Sequence, residues 1–352
     1  MVGYAGRRIL TERRRRPIRL IQALLYRDLC GFFKTRSSAH TATLLMAALI
    51  NSDLPDLTLI SRGKVRDIYS TSSPDRLLFV ASDRISAYDV ILQNGIPDKG
   101  KLLTQISLFW FHKLEHIIPN HFVTANIDEM PEEIKKYKTQ LDGRAMLVKK
   151  AEVVPLEAIV RGYLAGSAWS EYKVKGTVHG IAMPKGLVEG VKLSQPIFTP
   201  STKADQGAHD ENISPEQAAE LIGQELYNQI STASLSLYTT ASNYAQTRGL
   251  ILADTKFEFG LVSEGSEKKL ILIDELLTMD SSRFWPLDGY LPGGAQPSFD
   301  KQYLRDWLVS VGFRKGFESG PPGKEGEGWV IDEEIVKGTK QRYAEAVELL
   351  TK

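Results

Sequence analysis

The stretch "LADTKFEFG", residues 252–260, alternates charge with bulk. Read as a β-strand of period two, it sets Asp254, Lys256 and Glu258 on one side and Thr255, Phe257 and Phe259 on the other. The second side is a core face. The first is either a solvated face of an antiparallel sheet or a surface that holds a metal and an anion. Downstream, "KLILIDELL" reads as a second strand, and "SEGSE" supplies a turn near Gly265 and Ser266. The resulting hairpin brings Glu258 opposite Asp274, or within one residue of it. Like charges facing each other across a strand pair are unfavourable, so this pairing needs compensation. Mg²⁺ suits such hard oxygens, because it takes one or two carboxylates and completes its octahedron with water and nucleotide phosphate. A solvated face paired through Lys256 is the alternative.

Outward from the hairpin, the chain has 352 residues, 42% of them hydrophobic, with Lys+Arg 44 against Asp+Glu 43 and a net charge of +1. That balance implies neither a nucleic-acid nor an anionic-membrane partner. The length suffices for one large domain or for two lobes around a cleft. Cys30 is the single cysteine, which excludes a disulfide framework and a thiolate zinc cluster and fits a reducing compartment. No run of about 18 apolar residues suggests a transmembrane helix.

Charge is uneven at the amino terminus, where "GRRILTERRRRPIRLIQALLYRDLCGFFKTR" carries nine arginines and Lys34 against Glu12 and Asp28. Residues 1–45 read as a basic extension: a disordered tail, a start placed too early with Met46 as the second candidate, or a mitochondrial presequence. Composition favours the first two. After Met46, "LTLI", "GKVRDIYS" and "LLFVAS" form an antiparallel meander, and "KLLTQISLFWFHKLEHII" follows at helical spacing until Pro119. "AMLVKK" and "PLEAIVRG" are strands on either side of a hinge at "KKAEVVP". Ser214, Pro215 and Gln217 form a capping box, and the apolar stripe behind it predicts one long helix reaching Gly249. Two more helices fall near "DKQYLRDWLVSV" and "DEEIVKGTKQRYAEAVELL", separated by a Gly/Pro loop.

Three further constellations carry chemistry. In "SRGKVRDIYS", Gly63 opens a hairpin with Lys64 and Arg66 on one face, able to lay amides and cations over polyphosphate or simply to be an exposed basic strand. It is not a Walker A loop. "VVPLEAIVRGYLAGSAW" ends a strand at Arg161 and reaches a helix start at Ser167, which together make either an anion site suited to a phosphomonoester or simply a tight turn with a surface Arg and an N-cap Ser. Arg161 sits between apolar runs and needs a partner if buried. The polar loops "DRISAYDVIL" and "KADQGAHDENIS" bring Asp83, Ser86, Asp89, Asp205, His209 and Asp210. His209 reads as an ordinary hydrogen-bonding residue rather than a base or ligand. Arg283 in "DELLTMDSSRFW" follows the Asp274 strand and can reach the same cleft as Arg161.

Together these residues resemble the SAICAR synthetase family in its longer, fungal-like form. "VVPLEAIVRGYLAGS" and "LADTKFEFG" match the family's signatures without departure, and "RGKVRDIY", "SDRISAYD", "IPDKGKLLTQ", "HDENIS" and "DELLTMDSSRFW" follow in the right order. The resemblance covers nearly all of the chain after the extension. It implies an α+β, ATP-grasp-like fold of two lobes related to the kinase nucleotide lobe, with residues 46–150 binding nucleotide and 151–352 carrying the substrate and metal site. It implies a carbon–nitrogen ligase of purine biosynthesis that joins the carboxylate of the ribonucleotide CAIR to the amine of L-aspartate, with ATP and Mg²⁺. Carried onto this sequence, Gly63, Lys64, Arg66 and Lys150 face ATP, and Glu258 and Asp274 hold the metal. Arg161, Ser167, Lys256 and Arg283 grip the ribonucleotide phosphate or neighbouring anions, and Ser86, Asp205 and Asp210 line the substrate side. Lys256, Glu258 and Asp274 are the candidate catalytic residues. A cytoplasmic monomer is the accompanying expectation. The chemistry agrees: a carboxylate must be activated by ATP before an amine attacks, and phosphoryl transfer needs positioning and charge neutralisation rather than a Ser, Cys or His nucleophile.

Overall fold

The computed structural model describes residues 47–203 and 211–352; Asp205, His209 and Asp210 lie outside the described residues. The expected meander is present as β1 (Leu59–Arg62), β2 (Arg66–Ser70) and β3 (Arg76–Ala81). With β4 (Phe122–Thr124) and β5 (Ala145–Lys149) they form an antiparallel sheet in the order β1-β2-β3-β5-β4. Alternation along β3 feeds two cores at once: Leu78 and Val80 pack with Leu54, Tyr69, Ile134 and Leu147, while Phe79 faces the main core.

The second sheet is built around a single long strand. β6 (Glu152–Tyr163) lies between β7 (Lys192–Phe198) and β8 (Leu250–Glu264). On its other edge β8 pairs in succession with two strands. β9 (Glu267–Ile273) takes Glu258 to Glu264, and β10 (Ser282–Pro286) takes Leu250 to Thr255. Lys256 and Phe257 therefore fall where the two partners part, and the Lys256 amide donates to the Ser281 carbonyl at 3.0 Å in that gap. The Lys150–Ala151 link joins the two sheets in the chain. The Pro119–His121 segment also stitches them together, because Leu272 donates to Pro119 and accepts from His121.

Helices α1 (Lys99–Leu114), α2 (Gly166–Lys175), α3 (Pro215–Ile222), α4 (Gln224–Thr247), α5 (Gln302–Ser310) and α6 (Glu333–Thr351) complete the α+β architecture. Trp110, Leu237, Phe257, Phe259, Phe284 and Tyr343 meet in the main core, which fixes the apolar side of β8. The capping box at Ser214 forms as the sequence predicts. The single helix onward to Gly249 does not: Gly223 takes a positive φ of 87°, ends α3 and separates it from α4. Apolar periodicity runs through the break because both helices bury one face. Glycine's left-handed freedom at 223 outweighs that pattern locally.

Candidate active site

Register along β8 makes the strand a ruler for the site. Asp254, Lys256 and Glu258 share one face and stand opposite Arg161, Ile159 and Glu157 of β6. At a rise of about 3.3 Å per residue, Asp254 and Glu258 are roughly 13 Å apart along the strand, with Lys256 midway.

At the Asp254 end, three strands bring one carboxylate between two guanidinium groups. Asp254 Oδ2 accepts from Arg161 Nη1 at 3.1 Å and from Arg283 Nη1 at 2.5 Å. Arg161 is buried and also donates to Thr199 Oγ1 at 3.0 Å and Ser167 Oγ at 3.2 Å, so the partner that its burial demanded is supplied. Arg283 is in closer register with the open side, with 23% of its side chain exposed. It lines a cavity of about 620 Å³ with Gly166, Ser167, Tyr88, Trp285 and Arg305. Gly166 begins α2 with a φ of 57°, and a side chain there would overlap the Arg283 guanidinium. The strand-to-helix turn thus needs glycine twice, for its backbone and for the arginine beside it.

At the Glu258 end the charges alternate in a compact cluster. Lys256 Nζ contacts Glu157 at 2.5 Å and Glu258 at 3.2 Å, and Lys203 bonds Glu258 from the other side. Arg66 bonds Asp274 and lies 3.6 Å from Glu275. Glu258 is in register with Ile273, so Asp274 is one residue past it, within the range the hairpin predicts. The carboxylate directly across from Glu258 is instead Glu157 on β6. Lys256 and Lys203 compensate that like-charge pair. Burial works against the Lys256 charge, but Glu258 and Glu157 outweigh it and hold the ammonium above the usual lysine range. Burial likewise works to raise Asp274, while Arg66, Lys203 and Lys256 prevail and hold its carboxyl below the usual range. Both groups are therefore charged at neutral pH.

Several predicted residues sit apart from these two ends. Lys64 pairs with Asp89 at 2.5 Å in the open, rather than sharing a face with Arg66, which turns inward to the carboxylates. Gly63 closes the β1–β2 turn by donating to the Arg66 carbonyl at 2.8 Å. Lys150 is exposed on the link between the sheets, and Ser86 is buried beside Tyr88 and Asp89 of the cavity wall. Sequence reasoning gave no role to Glu157, Thr199 or Lys203. Asp254 it placed on the charged face without a task, although the unpartnered Arg161 was a signal for it.

Glu258 on β8 and Asp274, the residue just past the end of β9, offer the hard oxygen donors that Mg²⁺ accepts, each already facing a cation. Among the described residues no group of three or more His, Cys, Asp or Glu could hold a metal, so a cation at these two carboxylates would need phosphate or water as further ligands.

Carboxylates at one end of the β8 face, a doubled arginine clamp at the other and a lysine between them suit an enzyme that handles anionic substrates. The SAICAR synthetase family model matches residues 59–318, and the chain belongs to that family. The phosphoribosylaminoimidazole-succinocarboxamide synthase of Pichia angusta is 56% identical over 301 residues, 84% of this chain and 95% of the relative. That of Maridesulfovibrio salexigens is 52% identical over 303 residues, 86% and 97% of the two chains. Among solved structures, the SAICAR synthase of Saccharomyces cerevisiae in complex with SAICAR is similar with a TM-score of 0.75 at 47% identity, covering 86% of this chain and 98% of that one.

Proposed function

We propose that this chain carries out the family's ligation in the cleft above β8, joining the CAIR carboxylate to the amine of L-aspartate at the expense of ATP in purine biosynthesis. The observation that carries the reading is the ruler on β8. A ribonucleotide held by its phosphate near Arg161, Ser167 and Arg283 extends toward Lys256 and Glu258, where the nucleotide phosphates would meet Arg66, Lys203 and the two carboxylates. Terminal phosphoryl transfer to the carboxylate gives ADP and an acyl phosphate. Attack by the amine nitrogen then expels phosphate, which leaves with one former carboxylate oxygen, and the amine loses a proton.

Each end contributes in a physically distinct way. Arg161 and Arg283 orient one substrate, and holding reactants in line can supply roughly 7 to 11 kcal/mol of the barrier. Lys256, kept charged, neutralises negative charge as it develops on the transferring group. Mg²⁺, held by Glu258 and Asp274, would supply charge neutralisation to the nucleotide phosphates. Gly63 and Lys64 would cover the phosphates and Lys150 would also face the nucleotide, which divides the work between residues 46–150 and 151–352. Asp205 and Asp210 belong to the substrate side in this reading. No helix among the described residues is long and apolar enough to cross a membrane. We assign the protein to the cytoplasm as a monomer, with residues 1–45 outside the catalytic unit; the single cysteine and the long form it resembles support this.

ADP release measured with ATP, CAIR and aspartate, each omitted in turn, tests the function. Full release is expected only with all three. A stable phosphorylated product without amide formation would instead favour a small-molecule kinase.

A further inference from the structure

The loop from Asp274 to Ser281 connects the carboxylate end of the β8 face with Arg283 on β10, and its backbone is unusual. Asp274 and Leu277 both take left-handed conformations, with φ of 67° and 51°, which residues with side chains rarely adopt. Such a loop keeps its shape only if its surroundings hold it. The anchor is Asp280, whose carboxylate meets Lys99 Nζ of α1 at 2.7 Å, accepts from Tyr343 Oη of α6 at 2.8 Å and lies 3.8 Å from Lys301 Nζ. The Lys99 side chain has no exposure and that of Asp280 only 2%. From this anchor contacts run back to the cleft. Thr278 Oγ1 accepts from the Asp280 and Ser281 amides, each at 3.2 Å, and donates to Glu275 at 2.8 Å, and Glu275 faces Arg66.

A buried ion pair is a weak source of stability, since well-packed apolar residues often replace one at no loss. Its presence here calls for another reason. We propose that Lys99 and Asp280 are positioning residues for the reaction: they fix the loop so that Asp274 stands beside Glu258 while Arg283 stands beside Asp254. Neither touches a substrate. The inference rests on the reading of Asp274 as the carboxylate that meets the nucleotide's metal.

The test pairs Lys99→Met with Asp280→Leu, uses Tyr343→Phe as a milder change, and runs Asp274→Asn beside them. Readouts are urea denaturation, kcat and KM for each substrate, and calorimetric binding of Mn²⁺ with ADP. The double variant should unfold cooperatively like wild type, yet lose roughly 10²-fold in kcat, the effect of a displacement near 1 Å, and bind Mn²⁺ with ADP more weakly. KM for the ribonucleotide should rise as well, because the same loop holds Arg283 in the phosphate clamp. Tyr343→Phe should move kcat and Mn²⁺ binding the same way by a smaller factor. Wild-type kcat and Mn²⁺ binding in Tyr343→Phe and in a folded double variant would overturn the positioning role while an inactive Asp274→Asn leaves the metal reading standing. If the double variant does not fold, Tyr343→Phe decides alone. A fully active Asp274→Asn overturns both.

Discussion

Replacing Asp254 isolates the electrostatics of the arginine clamp. The carboxylate is buried and accepts from two guanidinium groups, so Asp254→Asn converts two charge-assisted hydrogen bonds into neutral ones. Charged-partner bonds exceed neutral ones by about 1 to 1.5 kcal/mol each, giving a loss of about 2 to 3 kcal/mol for the Asn variant. Asp254→Ala removes the acceptor altogether and leaves Arg161 charged in the interior, which costs about 3 to 5 kcal/mol. Arg161 keeps Thr199 and Ser167, and Arg283 is partly solvated, so the lower part of each range applies. Equilibrium urea denaturation at neutral pH measures both. Inorganic phosphate should take the place of the lost carboxylate charge, so added phosphate should stabilise the Asn variant more than wild type. Variants within about 0.5 kcal/mol of wild type, the range usual for surface substitutions, would refute the assignment of Asp254 as the buried counter-ion.

Other expectations follow from the same geometry. Glu258→Gln and Asp274→Asn should each lower kcat by roughly 10²-fold or more through lost electrostatic stabilisation, with the fold intact by circular dichroism; unchanged turnover in both would remove them from the metal site. Gly166→Ala pushes the Arg283 guanidinium aside and strains the α2 turn, so KM for the ribonucleotide should rise about tenfold, equivalent to about 1.4 kcal/mol. A rise confined to the ATP KM would contradict that placement. Asp67 gives an acid-stability prediction away from the cleft. Burial acts to raise its carboxyl, but Ser52 and Arg84 prevail and hold it below the ordinary value of 3.8. A depressed folded-state value stabilises fully above that ordinary value and is lost as pH falls below it toward the folded one. Asp67→Asn should therefore flatten the decline in stability below about pH 4, as pH-dependent denaturation would show.

Much of this arrangement was legible because it depends on period and turn chemistry. Alternation in "LADTKFEFG" and the Gly265–Ser266 turn place Glu258 opposite Asp274 or within one residue of it, and the register agrees. Burial of Arg161 between apolar runs implied a partner. What stayed hidden was identity across strands: Glu157 and Asp254 lie on β6 and β8 at positions set by a long-range register with irregularities, which local pattern does not encode. Lys203 was missed because it follows a two-residue strand, Ser201–Thr202, too short to show a period. The break at Gly223 was missed for the opposite reason, since a continuous apolar stripe masks a single left-handed residue. Lys64 and Arg66 share a face by alternation, yet Asp89 holds one outward and Asp274 draws the other in.

The central claim is that the cleft above β8 activates a carboxylate by phosphorylation and passes it to an amine. CAIR labelled with ¹⁸O in its carboxylate, turned over with ATP and aspartate, tests it most directly by mass spectrometry of the inorganic phosphate. The account predicts that each phosphate released carries one labelled oxygen and that SAICAR retains the other. Unlabelled phosphate accompanying SAICAR formation, or phosphate release without the amide, would contradict it.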